Sequence, residues 1–358
     1  MKLLRFPYVV KKSILDHFSF NQIFFLSLCS QNTKNFIIQT QKCQFEKVER
    51  VTYMVYKRFM LISVWIPSKN IFDTVMYFLR SKTDFFQFDL SEITNSVEEI
   101  TVDELGESFG FLRCLSNQSD LHAKYSSDDK ESILETIHNR FYDLLGNHAS
   151  FTLLCDTKDT SFIPMLRKIQ KFELRGSLYD PRKVDKFLSI STCLKYFEWV
   201  TFEEDIECAE NTKIYELDTL GMFCLLTKNV LKSFNGRHAF LFENTFNRTD
   251  VVRFLNAWKS GEKFRNLEVI TIESENSIPI IRDSVEFKEV NTEVAYSFVN
   301  KLRDPYSSST YGKPFEFKSH LYMVRESDGH VASVMLTDHS IFMGVWNMTE
   351  KQFLEKFQ

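Results

Sequence analysis

Glycine and proline are scarce in this chain. Its 358 residues hold 10 Gly and 7 Pro, which leaves no room for a Gly-rich or Pro-rich linker and argues against long disordered stretches. No run of 18 apolar residues occurs, so a membrane-crossing helix is not expected. The first residues are basic, but Lys11, Lys12, Asp16 and His17 interrupt the apolar stretch before a secretory signal core could form. Cysteine pairing is missing too. The seven cysteines (Cys29, Cys43, Cys114, Cys155, Cys193, Cys208, Cys224) are odd in number and none has Cys-x-x-Cys spacing. They predict neither a disulfide framework nor a zinc site, and a reducing compartment, cytoplasm or nucleus, is the expected setting.

Catalytic signatures are equally absent. There is no phosphate loop, dinucleotide fingerprint, His-Glu-x-x-His or nucleophile elbow. Glu203-Glu204-Asp205 reads as a solvated turn, and His238 and His339, beside expected strands, as edge or surface histidines. The expectation is a non-enzyme without cofactor or metal. A net charge of -4 also speaks against a dedicated nucleic-acid binder.

What is abundant is aromatic and apolar. The chain has 36 Phe and is 44% hydrophobic and 26% charged, an ordinary globular balance with enough core for two or three domains. Residues 1–50 set eight basic side chains against Asp16, Glu46 and Glu49, a local balance of +5; from charge alone a solvated basic face is the first reading and an acidic partner surface the second. Helical spacing recurs in three short pieces there. Val9, Val10, Ile14 and Phe18 share a stripe behind Pro7; Ser19 can cap a second helix with Ile23, Phe24 and Leu28; Thr33, Phe36 and Ile37 form a third. Three such helices bury too little to stand alone. They need a partner or the rest of the chain.

Beyond residue 50 the pattern alternates strand and helix. Expected strands are 60–66, 85–90, 151–155, 171–175, 196–202, 238–242 and 267–272. Expected helices are 71–79, 162–169, one opening at Asp180-Pro181, and 250–260 with Thr249 as cap and Gly261 as stop. Strand centres 20 to 44 residues apart, with an extra unit near 214–217, suggest a leucine-rich-repeat-like array of parallel strands; an ordinary α/β domain is the alternative. Leu321–Val324 and Val331–Met335 flank Asp328-Gly329, a hairpin signal, with Phe342–Trp346 as a possible third strand. The fold expected is α/β: a helical module over 1–45, a strand-helix array over 46–320, and an antiparallel cap over 321–358. Trp258, spaced with Val251 and Phe254, reads as core rather than as a partner anchor.

The segment Phe6-Pro7-Tyr8-Val9-Val10, Ile14-Leu15, and Ile23 through Ser30 resembles an F-box, with Phe6 where Leu is usual and Thr33 where an aromatic often follows. Phe242-Glu243-Asn244, Asp250 through Trp258 with its Phe-Leu-x-x-Trp helix, and Leu267-Glu268-Val269-Ile270 resemble a nematode-type F-box-associated domain (about 200–275), and the 322–346 hairpin resembles that family's end. The resemblance implies docking on a Skp-type adaptor and, through it, a cullin, by Phe6, Pro7, Val10, Ile14, Leu15, Ile23, Phe24 and Leu28. A protein substrate would be held by the carboxy-terminal part. A binding scaffold with no ligase role is the second reading.

Overall fold

The computed structural model describes residues 5–56, 59–69, 71–79, 110–113, 121–124, 130–156, 162–176, 181–201, 212–223, 229–244, 246–274, 281–299 and 315–358. It divides into two compact units, Met1–Phe172 with Ile190–Cys193, and Glu173–Ser189 with Leu194–Gln358. No helix among the described residues is long and apolar enough to cross a membrane.

The first unit opens with helices α1 (Tyr8–Asp16), α2 (Phe20–Leu28), α3 (Gln31–Thr40) and the short α4 (Lys42–Phe45). Their ends follow capping chemistry. Ser19 N–H donates to the Gln22 side chain at 3.0 Å, and Ser30 Oγ accepts the Thr33 N–H at 3.1 Å, which satisfies first-turn amides that a helix leaves open. Strands β1 (Arg50–Tyr56), β2 (Phe59–Ile66) and β3 (Ile71–Leu79) follow, then β4 (Gly110–Arg113) and β5 (Leu121–Lys124), helix α5 (Lys130–Leu145) and β6 (Ser150–Asp156). The strand order is β6-β1-β2-β3-β5-β4. β1 is parallel to β6 and antiparallel to β2, which is antiparallel to β3. Helix α5 turns Leu134, Ile137 and Phe141 inward, each fully buried. Tyr53 of β1 and Phe151 of β6 meet that face.

The second unit contains β7 from Glu173 (full strand Lys171–Arg175), α6 (Pro181–Ile190, except its last residue), β8 (Tyr196–Val200) and β9 (Thr219–Phe223). Then come α7 (Val230–Ser233), β10 (His238–Asn244), α8 (Arg248–Ser260), β11 (Val269–Ser274), β12 (Lys288–Phe298), β13 (Phe315–Val324), β14 (His330–Leu336), β15 (Ser340–Thr349) and α9 (Glu350–Phe357). Strands β8 to β11 run parallel. β15 then joins β11 antiparallel, and β14, β13 and β12 extend the sheet in antiparallel order. Helix α8 buries the expected stripe of Val251, Phe254, Leu255 and Trp258. Gly261 closes it in the left-handed region at φ 72°.

Four expectations need correction. Residues 71–79 form strand β3, not a helix. Apolar spacing in so short a run fits either structure, and the β-branched and aromatic composition settles as a strand once β2 offers pairing from Ile66↔Ile71 to Phe59↔Leu79, with one bulge between Ile62 and Ser63. Residues 162–169 form no helix. Pro164 falls inside the run, and the Ile169 N–H donates to Ser191 Oγ at 3.1 Å instead of to a carbonyl four residues back. The cap of α8 is Asn247, whose side chain accepts the Asp250 N–H at 3.0 Å; Thr249 lies inside the first turn. The extra unit near 214–217 is a 3-10 turn (Lys213–Glu216), and its strand is β9 just after it. The expected strand at 85–90 lies outside the described residues.

Candidate functional site

Pro7 caps α1 with an extended backbone (φ -53°, ψ 150°), and its carbonyl accepts the Lys11 N–H at 3.0 Å. The chain therefore enters the helix with five consecutive residues at the surface. Phe6 is 39% exposed, Tyr8 55%, Val9 75% and Val10 42%, with Pro7 exposed between them. These are large apolar groups left in water, and clustered exposure of that kind marks an interaction surface. Phe36 of α3 extends the patch, with its ring edge-to-face to Tyr8 at 6.0 Å and Lys11 Nζ 4.6 Å above it.

The polar border is ordered. Asp16 accepts from Lys12 Nζ at 2.9 Å and from the Gln41 side chain at 3.0 Å, which ties α1 to the α3–α4 junction. Gln41 first, then Lys12, hold the Asp16 carboxyl below its ordinary range, and the Asp16 hydrogen bond and charge raise the Lys12 ammonium.

The eight residues expected to dock divide by position. Phe6, Pro7 and Val10 stand at the surface and Ile14 is half-buried. Leu15, Ile23, Phe24 and Leu28 are 1% exposed or less. Their inward face is filled by this chain itself: Phe24 stacks on Phe141 of α5 at 4.1 Å, and Phe20 lies over the same ring at 6.4 Å. An F-box domain model matches residues 3–42. These residues form an F-box domain. No curated protein and no solved structure matches the chain. F-box domains bind Skp-type adaptors in ubiquitin ligase complexes. Tyr8 and Val9, the most exposed members of the patch, stand inside the F-box signature but were not among the eight. Their signal was position: at the first turn of a helix they lie where no preceding turn covers them.

A second feature lies wholly in the second unit. A cleft of about 700 Å³ is lined by segments before β9, β10 and β11 and by β15. Arg237 donates from Nε and Nη2 to Glu268 Oε1 at 2.9 and 2.6 Å. At its rim Arg325, almost fully buried, makes a two-bond pair with Asp328 at 3.0 and 2.8 Å, donates to the Arg265 carbonyl at 3.0 Å, and lies 5.3 Å from the Trp258 ring. Burial alone would raise the Asp328 carboxyl, but Arg325 and His330 bring it far below its usual range. Trp258 is fully buried, in keeping with a core role. His238 sits between Thr219 Oγ1 (2.9 Å) and Glu268 Oε2 (3.3 Å), and burial lowers its pKa. His339 is exposed. Among the described residues no group of three or more His, Cys, Asp or Glu side chains could hold a metal ion.

Proposed function

We propose that the protein is a substrate-recognition adaptor of a cullin-RING ubiquitin ligase, its F-box docking on a Skp-type adaptor and its carboxy-terminal part holding a protein substrate. The observation that carries the reading is the patch from Phe6 to Val10, apolar and open on a module whose inner face is already filled by α5. The basic balance of residues 1–50 suits an acidic partner. Phe6, Pro7, Val10 and Ile14 would touch the adaptor, while Leu15, Ile23, Phe24 and Leu28 hold the helices in shape from behind. The F-box-associated likeness of about 200–275 and of 322–346 belongs to this reading. Parallel strands β8 to β11, each followed by a helix or turn, support a repeat-like array within 46–320, and the β13–β14–β15 meander supports a cap over 321–358. No catalytic group is required, because holding substrate lysines beside a charged conjugating enzyme supplies effective concentration. The setting would be cytoplasm or nucleus.

The test is co-purification of the full chain with the Skp-type adaptor and cullin. Pro7→Glu with Val10→Glu should cut adaptor capture by at least about tenfold, roughly 1.4 kcal/mol or more, with the melting temperature unchanged. Undiminished capture by the folded double variant, or capture of other proteins without adaptor or cullin, would remove the docking assignment.

A further inference from the structure

Strand β15 outlasts its neighbour β11. The last residue pair between them is Gly344 with Val269, and Val345 N–H then donates to the Glu268 carbonyl at 2.7 Å. Past that bond β15 runs on to Thr349; on its other side Trp346 pairs with Val331 and Thr349 with His330 of β14, and Asn347 and Met348 bulge between those pairs. Along Trp346–Met348 the side that faced β11 carries no strand among the described residues. That unpaired stretch opens into the 700 Å³ cleft, whose wall includes Trp346 and Asn347. An exposed strand edge is a template for an added strand, and here it lies inside a concavity of ligand-pocket size.

The lining chemistry narrows the occupant. Glu216, Asp218 and Glu268 are matched by Arg237, Arg265 and Arg325. Arg237 is held by Glu268 and Arg325 by Asp328, a fourth carboxylate behind the lining, so the cleft stands within one negative charge of neutral and no strong surplus selects an anion or a cation. What stays available is amide and carboxylate. Asn347 and Glu216 are exposed and have no side-chain hydrogen bond among the described residues, and Asn266 spends its NH2 on Asn235 while its carbonyl oxygen is open. Groups that donate and accept side by side, next to open main chain, match a peptide backbone better than any strongly charged ligand.

We propose that this cleft takes an extended peptide segment of a partner protein, added as a short strand along Trp346–Met348, with its polar side chains against Glu216 and Asn347. It deepens the substrate-recognition reading and rests on it for its purpose in the cell.

The test pans a phage library of random linear peptides on the full-length protein and measures binding of synthetic winners. An enriched family should emerge, and its members should bind Asn347→Pro and Glu216→Lys at least tenfold more weakly, Pro because it cannot donate along the edge. If Asn347→Pro melts early, the double variant Glu216→Lys with Asn347→Ala decides, since both residues are exposed and neither change touches the backbone. No enriched family, or winners indifferent to these substitutions, would overturn the proposal. Adaptor capture is measured on the same samples: its loss in the Pro7 and Val10 double variant with peptide binding intact bears on the F-box surface, and loss of peptide binding with capture intact bears on the cleft.

Discussion

At Gly261 the backbone closes α8 at φ 72°, and a Cβ built there would stand 2.1 Å from Ser327 Oγ and 2.5 Å from its Cβ. Conformation and space thus both exclude a side chain. Gly261→Ala should cost about 2–4 kcal/mol, the left-handed strain plus an overpacked contact, read by chemical denaturation. Adding Ser327→Gly should return the steric share and leave about 1 kcal/mol of strain; equal losses with and without that change would show that the clash contributes nothing. His138 offers a pH-dependent counterpart. Its Nε2 faces the Arg167 carbonyl at 2.7 Å, so that nitrogen carries the proton, and Nδ1 accepts from Tyr53 OH at 2.9 Å. Burial, with the nearby Lys168 charge adding and the Arg167 bond opposing, lowers its pKa to about 4. The unfolded chain, with a His pKa near 6.5, binds the proton first as pH falls. Stability should therefore drop by about 3 kcal/mol between pH 6.5 and 4 and level off below. His138→Gln should remove that share of the slope; an unchanged slope would locate the acid sensitivity elsewhere.

Among the elements, the β13–β14 hairpin is pinned by a single cation. Arg325 joins Asp328, the Arg265 carbonyl, His330 and the Trp258 face, and so ties the hairpin to the end of α8. Asp328→Asn should destabilise by about 3 kcal/mol, because it leaves the almost fully buried Arg325 charge without its carboxylate. Arg325→Met should cost clearly less, because the carboxylate it leaves behind is 38% exposed and water can replace its partner. Equal costs in a denaturation series would mean that the pair acts only as a surface salt bridge. Elements with a local signature were legible in the sequence. The 3.6-residue stripe and Gly stop of α8 announced it, and Asp328-Gly329 announced the hairpin, where Gly329 adopts φ 74°. β3 was not legible, because a nine-residue apolar run acquires its identity from the strand beside it. The cleft was not legible either: its lining comes from five separated stretches, and an unpaired strand edge has no residue signature of its own.

At the scale of the molecule, the F-box was recognisable from its motif, but which of its apolar residues face outward was not, since α2 is packed by Phe141, more than a hundred residues away. That contact changes how docking has to be tested. Phe24 and Phe20 lie against Phe141, Lys34 pairs with Asp143 at 2.8 Å, and the Phe45 carbonyl meets His148 Nε2 at 2.9 Å. Deleting residues 1–45 would uncover the α5 face and the turn that follows it at these points, so the shortened chain should lose several kcal/mol and aggregate. Phe141→Ala should reproduce much of that loss, about 3–5 kcal/mol. Exposed substitutions at Pro7 and Val10 should instead move stability by about 0.5 kcal/mol or less. Docking and folding are therefore separable residue by residue but not by truncation. Equilibrium unfolding of three proteins decides the matter: the full chain, the 46–358 fragment and the Phe141 variant. A fragment that melts cooperatively at the full chain's temperature would mean that the helices lean on α5 without sharing its core, and the buried half of the F-box face would then be available to the adaptor.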